Sequence, residues 1–371
     1  MVQIKKLLRG VTRLAPPSGN RIGKVHRFDR NERTTPFPEA HLKRLFNTIH
    51  PDELSAYPDL GPFSEKLANW LEVQPQNLRL WAGSDTAIRA VYEVFVEEGD
   101  EVITLSSTYG MYAVYGRMFG ATTKEVLYDD DLSLPVDRII CEISERTKCI
   151  AIANPNQTGT VLQEGEILKV LEAARNVDAL VVIDEAYFHF SDVTMISHIR
   201  EWDNLLVIRT FSKGFGVASV RIGYTVANPE LSDHLGKVAL THEITSFSAS
   251  VGYYLLNNLD ILEQHVKDVR TGKVVLYQRL ENLGFEVPKS EGNFVFFNGG
   301  NLSSQTELVK SLEERDNIFV RGPFETSPFS GHVRVTVGTG EQMHLFCDAI
   351  ARIQQPSIQQ ASEPENQRES L

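Results

Sequence analysis

From about residue 80 to residue 226, short apolar runs alternate with stretches in which apolar residues return every three or four positions. The segment "DTAIRAVYEVFVEEGD" sets Ala87, Val91, Val94 and Phe95 on one helical face, and the strand-like run "EVITL" follows it. Then come the strand "CIAIANPN", the helix "EGEILKVLEAARN" and the strands "ALVVIDEAY", "NLLVIRTFS" and "VRIGYTVA". Strands that are apolar on both faces and separated by helices predict a mostly parallel sheet sandwiched by helices, an α/β architecture. Farther on, Leu262, Val266, Val269, Leu276, Leu280 and Leu283 keep a helical period over several turns, which predicts one long helix. It leads to a smaller α+β unit with strands near "NFVFF", "NIFV" and "HVRVTV".

The pattern divides the chain into an N-terminal segment, 1–45, that joins the small unit, a large domain, 46–255, a small C-terminal domain, 256–353, and a disordered tail, 354–371. The tail, "QQPSIQQASEPENQRESL", is polar and nearly free of aromatic residues, too poor in apolar surface to offset the entropy of folding. The start, "MVQIKKLLRGVTRLAPP", is basic and without acids, a faint transit-peptide character lacking the apolar core of a signal peptide.

At 371 residues the chain suits a large core plus a smaller one, and 42% apolar with 23% charged residues describes a soluble globular protein. A net charge of -12 speaks against a nucleic-acid partner, and no apolar run is long enough to span a bilayer. Cys141, Cys149 and Cys347 have neither disulfide-framework nor metal-ligand spacing, which points to reduced thiols, a reducing compartment such as the cytoplasm, and no metal site.

Open α/β sheets bind ligands at the carboxyl ends of their strands, and polar groups gather there in this chain. Asn154 and Asn156 follow one strand; Asp184, Glu185 and Tyr187 follow the next; Arg209, Thr210, Ser212 and Lys213 follow the third. Gly83, Ser84 and Asp85 open a helix, and their free N–H groups plus a hydroxyl form a phosphate-sized cradle. Each feature has a plainer reading: "GSD" as a helix cap, the Asn-Pro run as a turn, and Asp184 with Glu185 as side chains on opposite faces of a strand. "GFGVAS" lacks the third glycine and the downstream acid of a dinucleotide loop. Recurrence of such groups at successive strand ends is what coincidence fails to explain.

With the motif "TFSKGFGVASVRIGY", the chain from roughly residue 28 to 353 resembles the aspartate-aminotransferase superfamily, the fold type I enzymes of pyridoxal 5'-phosphate, and within it the histidinol-phosphate aminotransferase group. The resemblance implies that Lys213 forms the Schiff base with the cofactor and moves the substrate's α proton. Phosphate would be held by Ser84, Asp85, Thr86, Thr210, Ser212 and Arg221. Asp184 would face the ring nitrogen, Asn156 and Tyr187 the ring oxygen, and Tyr109 would stack on the ring. Tyr57 would reach the neighbouring subunit's phosphate, which implies a homodimer with shared active sites. Arg334 would take the substrate's α-carboxylate, and Arg321 with Arg33, or another base of "RIGKVHRFDRNER", an anionic tail.

Four features depart from that pattern. Gln157 stands where proline is usual; Arg33 and Thr34 replace an asparagine and a proline; an upstream substrate-facing tyrosine has no match; and "GPFETSPFSGH" is a longer loop. All four lie toward the substrate. The resemblance therefore implies an aminotransferase with an amino donor and a keto acceptor, acting on a small amino substrate, phosphorylated or otherwise anionic. Decarboxylation, elimination or cyclising dehydration on the same scaffold is the second expectation. A silent cofactor-binding protein is the third, and an intact Lys213 argues against it.

Overall fold

The computed structural model describes residues 2–12, 21–129, 131–325 and 329–354. Most of the tail read as disordered, 355–371, lies outside the described residues. In chain order the strands are β1 (His26–Arg27), β2 (Leu78–Trp81), β3 (Glu101–Leu105), β4 (Thr122–Val126), β5 (Thr147–Ala153), β6 (Leu180–Asp184), β7 (Leu205–Thr210), β8 (Gly223–Ala227), β9 (Phe294–Phe297), β10 (Ile318–Phe319) and β11 (Val333–Thr336). Seven form one sheet in the order β2-β8-β7-β6-β5-β3-β4. The pairs among β4, β3, β5, β6 and β7 are parallel, whereas β8 is antiparallel to both of its neighbours. Only β8 runs against the rest. It follows β7 after the short segment 211–222, with no long helix to carry the chain back across the sheet, and so it returns antiparallel.

Alternation along the central strands separates two cores. Val181, Ile183, Leu205 and Val207 pack on one face, and Leu180, Val182, Leu206 and Ile208 on the other, against the helix Ser84–Phe95. This places Asp184 and Glu185 on opposite faces, as strand geometry requires. Glu185 is consumed in a buried ion pair: its Oε2 accepts from Arg209 Nε at 2.9 Å and its Oε1 from the Met195 amide at 2.7 Å. Arg209 also donates to Thr194 Oγ1 and lies over the Phe188 ring at 3.5 Å.

A third core joins Phe28, Val269, Leu276, Val295, Val333 and Phe346 in the smaller unit, built on the antiparallel pair β9 and β11. The long helix Asp260–Asn282 links the two units, with Ile261 and Leu262 in the large core and Val269, Leu276 and Leu280 in the small one. The N-terminal segment enters the small unit through β1, which pairs with β10, and through the Thr336 amide, which donates to Phe28 O. The boundary expected at residue 45 falls inside the helix Glu39–Thr48, which packs on the helix Ser246–Asn257 through Phe46 and Phe247 and through a 3.0 Å bond from His41 to Tyr254. Residues 39–48 thus belong with the large sheet, because their apolar side finds its partner there. No helix among the described residues is long and apolar enough to cross a membrane.

Removing one partner of a buried ion pair strands the other charge. Glu185→Ala should lower stability by about 3–5 kcal/mol, read as a shift of the urea midpoint, and replacing both residues by leucine and methionine should recover most of it. A small shift in the single variant would mean that water reaches Arg209.

Candidate active site

The reversed β8 matters to function because it starts where β7 and β2 end. Thr210, Gly223 and Trp81 stand side by side in register, so the chain leaving β2 and the chain entering β8 meet at one edge of the sheet. Gly83 has φ +87°, and a Cβ there would strike the Arg221 guanidinium; a Cβ on Gly223 would strike the Gly83 and Ser84 backbone. Both positions therefore need glycine for close approach, and Gly83 for its left-handed backbone as well. Arg221 itself adopts φ 57° and donates to the Ala218 and Ala82 carbonyls. Its cation thus stands at the N-terminus of the helix Ser84–Phe95, beside the first-turn amides and Asp85, whose Oδ1 is buried and unpartnered. Thr210 Oγ1 donates to Ser212 Oγ at 3.0 Å and accepts from the Ser212 amide. Amides, hydroxyls and a guanidinium of this kind suit a phosphate.

At the next strand end Asp184 is buried, its Oδ2 accepting from Tyr112 Oη at 3.0 Å and its Oδ1 from the Ala186 amide at 3.1 Å. Burial pushes this carboxyl up to about 6, partly opposed by the Tyr112 and Ala186 hydrogen bonds and by the Lys213 ammonium. Tyr109 meets Tyr112 edge-on at 6.5 Å and keeps 48% of its surface exposed, which leaves a ring face free to stack. Asn156, expected as a free donor, is instead occupied within its own loop: Nδ2 donates to Thr160 O and Oγ1, and Oδ1 accepts from Thr158.

Lys213 is half-buried beyond β7, its ammonium donating to the Arg30 and Asn31 carbonyls at 3.1 Å each and lying 5.6 Å from the Tyr187 ring centre. Asn31 is a junction. It takes φ 55°, donates from Nδ2 to Tyr187 Oη at 2.9 Å, and accepts from Thr336 Oγ1, while Asn293 Nδ2 donates to its carbonyl. The small unit thereby reaches the lysine and the tyrosine of the large sheet.

The arginines separate into two places. Arg334 is 9% exposed; it lies over the Phe294 ring, donates to Asp29 O, leaves Nε unpartnered, and is backbone-bonded to the exposed Arg321 in both directions. Burial lowers its pKa, with Tyr187 and Asp29 opposing and Arg321 assisting. Arg33 does not join them. Its stem lies on Gly216, with Cδ 2.8 Å from where a Cβ would be, and its Nε donates to Thr35 Oγ1, so it belongs to the back of the Lys213 loop. Tyr57 stands apart on the surface, 82% exposed and stacked on His242 at 4.2 Å.

A model of the family described as "Aminotransferase class I and II" matches residues 30–350. The chain belongs to that family. A histidinol-phosphate aminotransferase of Ruminiclostridium cellulolyticum is 31% identical over 94% of this chain and 99% of its own length. Among solved structures, the histidinol-phosphate aminotransferase of Sinorhizobium meliloti in complex with pyridoxal-5'-phosphate superposes with a TM-score of 0.78 at 21% identity, over 88% of this chain and 91% of that one. An L-threonine-O-3-phosphate decarboxylase from Porphyromonas gingivalis superposes with a TM-score of 0.72 at 21% identity, over 88% and 98%.

This aminotransferase uses pyridoxal 5'-phosphate, and the site fits that group on its own terms. The cradle has no room for a Cβ at Gly83 or Gly223, and the Arg221 guanidinium is brought against Gly83 at the start of the helix Ser84–Phe95. Two strand ends away Asp184 is buried, as a partner for a ring nitrogen must be. Residues outside the sequence reading also contribute. Tyr112 lies in the first turn of the helix Met111–Phe119, three positions after Tyr109, whose carbonyl accepts from its amide. Asn293 and Thr336 carry no local signal, since only packing of the small unit brings them to Asn31.

The raised Asp184 pKa has a sign. From about pH 4 to 6 the folded state holds a proton that the unfolded state has released, so stability falls as pH rises through that window, by about 3 kcal/mol in all. Asp184→Asn keeps an acceptor for Tyr112 and removes the buried charge. The cofactor-free variant should exceed the unsubstituted protein by about 2–3 kcal/mol at pH 7.5 and match it near pH 4, by urea denaturation. An equal difference at both pH values would assign the titration to another group.

Proposed function

We propose that this aminotransferase is of the histidinol-phosphate aminotransferase type, exchanging an amino group between a small amino substrate with a phosphorylated or otherwise anionic tail and a keto acceptor. The observation that carries the reading is the convergence of Lys213, Asp184, Tyr187 and Arg334 at one carboxyl edge, beside the cradle at Gly83 and Arg221. The relatives above 30% identity bear the histidinol-phosphate name, which makes that compound the first substrate to test. The fold alone does not choose the reaction, because a decarboxylase shares it.

Bound pyridoxal phosphate supplies an electron sink for the pair left when an α bond of the substrate breaks, provided its ring nitrogen is protonated. Asp184 keeps that proton in place, and Tyr112 keeps Asp184 in place. Lys213, whose ammonium lies 5.6 Å from the Tyr187 ring centre, would hold the cofactor and, once freed, would carry the α proton as a general base. Tyr187 would meet the ring oxygen, and Asn31 sets the direction of its hydroxyl by donating to it. Asn156 serves the same oxygen only after one of its bonds to Thr160 is exchanged. Ser84, Asp85, Thr86, Thr210, Ser212 and Arg221 would hold the phosphate, and Tyr109 would cover the ring. Arg334 takes the α-carboxylate of an amino-acid donor through its planar fork, and its neighbour Arg321, rather than Arg33, takes the anionic tail. Tyr57 faces outward and would complete the site of a second subunit in a homodimer. The free thiols, two of them buried, support residence in a reducing compartment, the cytoplasm.

Two experiments test this reading. Borohydride reduction of the yellow protein followed by peptide mass analysis should find the cofactor adduct on Lys213, and an unmodified Lys213 in active protein would refute the assignment. Arg321→Ala should weaken a phosphorylated substrate by roughly 2–3 kcal/mol, read from KM ratios, and spare a neutral-tailed analogue. Equal losses would make Arg321 structural. Product analysis on the same samples separates amino transfer from release of carbon dioxide.

A further inference from the structure

His265 touches the residue after Lys213, and it does so from the long helix that belongs to both cores. Its Nδ1 lies 2.8 Å from the Gly214 carbonyl oxygen. Gly214 also packs closely on the His189 ring, where an added Cβ would collide with Cδ2. His265 itself is 4% exposed, edge-on to Phe190 at 6.0 Å, with Arg33 and Asp268 as the charged groups that face it. Burial lowers its pKa to about 4, so the imidazole is neutral near pH 7 and has one N–H. A carbonyl can only accept. The proton must therefore sit on Nδ1, the less common tautomer of free histidine.

The rest of the loop is gripped in the same sense. Gly216, with φ +70°, packs on the stem of Arg33 from the N-terminal segment, which is itself tied to the small unit through β1. Arg33 thus comes from a segment tied to the small unit, and His265 from the helix that joins the two cores. On His265's helix, Ile261 and Leu262 lie one turn before it in the large core, and Val269 one turn after it in the small core.

We propose that His265 is a positioning residue that ties the Lys213 loop to the small unit, through a hydrogen bond donated by Nδ1 to the Gly214 carbonyl. The inference rests on Lys213 as the attachment point of the cofactor. The consequence is that the setting of Lys213 follows the placement of the small unit, which also carries Arg334.

The nitrogen is the test. In the cofactor-loaded protein labelled with 15N-histidine, His265 should show a protonated Nδ1 and a bare Nε2, and the opposite tautomer would overturn the proposal whether or not Lys213 carries the cofactor. Asparagine places an amide nitrogen where Nδ1 stands; leucine fills the volume without a donor. His265→Leu should release cofactor about tenfold faster, followed by absorbance after dilution into apo-protein acceptor, while His265→Asn stays within about threefold of the parent. Leucine retaining cofactor like the parent, or asparagine failing as leucine does, would overturn it. If the leucine variant does not fold by circular dichroism, the tautomer decides. Failure of the Lys213 adduct experiment with the Nδ1–H tautomer intact would refute the assignment of Lys213 and leave the His265 bond standing.

Discussion

Two stretches of backbone approach each other at Gly83 and Gly223 with no side-chain atom between them, and the site is arranged around that contact. It exists because β8 runs against its neighbours, which sets its first residue beside the last residues of β2 and β7. Had a crossover helix made β8 parallel, Arg221 would emerge at the far edge of the sheet. The reversal instead delivers a guanidinium to the N-terminus of the helix Ser84–Phe95, where the unpaired amides and the helix dipole already favour an anion. The cradle is therefore a property of topology, with glycine required at both points of contact.

A second constraint is the desolvated carboxylate of Asp184. A buried acid in a sheet core is unfavourable unless something repays it, and the fold supplies only Tyr112, one amide and the field of Lys213. Its neighbour Glu185 shows the structural solution to the same problem: a guanidinium, a hydroxyl and an amide satisfy it completely. Adjacent residues on opposite faces thus divide into one acid held by two hydrogen bonds with a raised pKa and one acid locked into an ion pair of the fold.

The small unit completes what the large sheet begins. Asn293 and Thr336 come from segments distant in the chain and hold Asn31, which meets Lys213 and Tyr187, while Arg334 feels the Tyr187 hydroxyl. Gly159 carries a further contact between the units, because its missing Cβ lets Ser290 lie against the loop that follows β5, and the Glu291 amide donates to its carbonyl. Arg334 is in this way carried by the small unit and Lys213 with Asp184 by the large sheet, and the helix Asp260–Asn282 spans both cores.

Local pattern determined the elements of the large sheet, from "EVITL" at β3 to "NLLVIRTFS" at β7, because a strand buried on both faces must be apolar throughout and must be bounded by polar exits. The same rule exposed Asp184, Thr210 and Lys213, which stand at those exits. The short edge strands β2 and β4 escaped it, β4 being polar at every position but Val126. Sequence also placed Arg33 with the substrate arginines, since five basic residues in "RIGKVHRFDRNER" look alike in one dimension. Only the tertiary structure decided that Arg33 lies on Gly216, that Tyr112 and not solvent meets Asp184, that Asn156 is spent on its own loop, and that Asn31 joins the two units. The physical reason is range: periodicity and strand ends are written in neighbours along the chain, whereas hydrogen bonds such as Asn31 to Thr336 join residues 305 positions apart and exist only after both cores have formed.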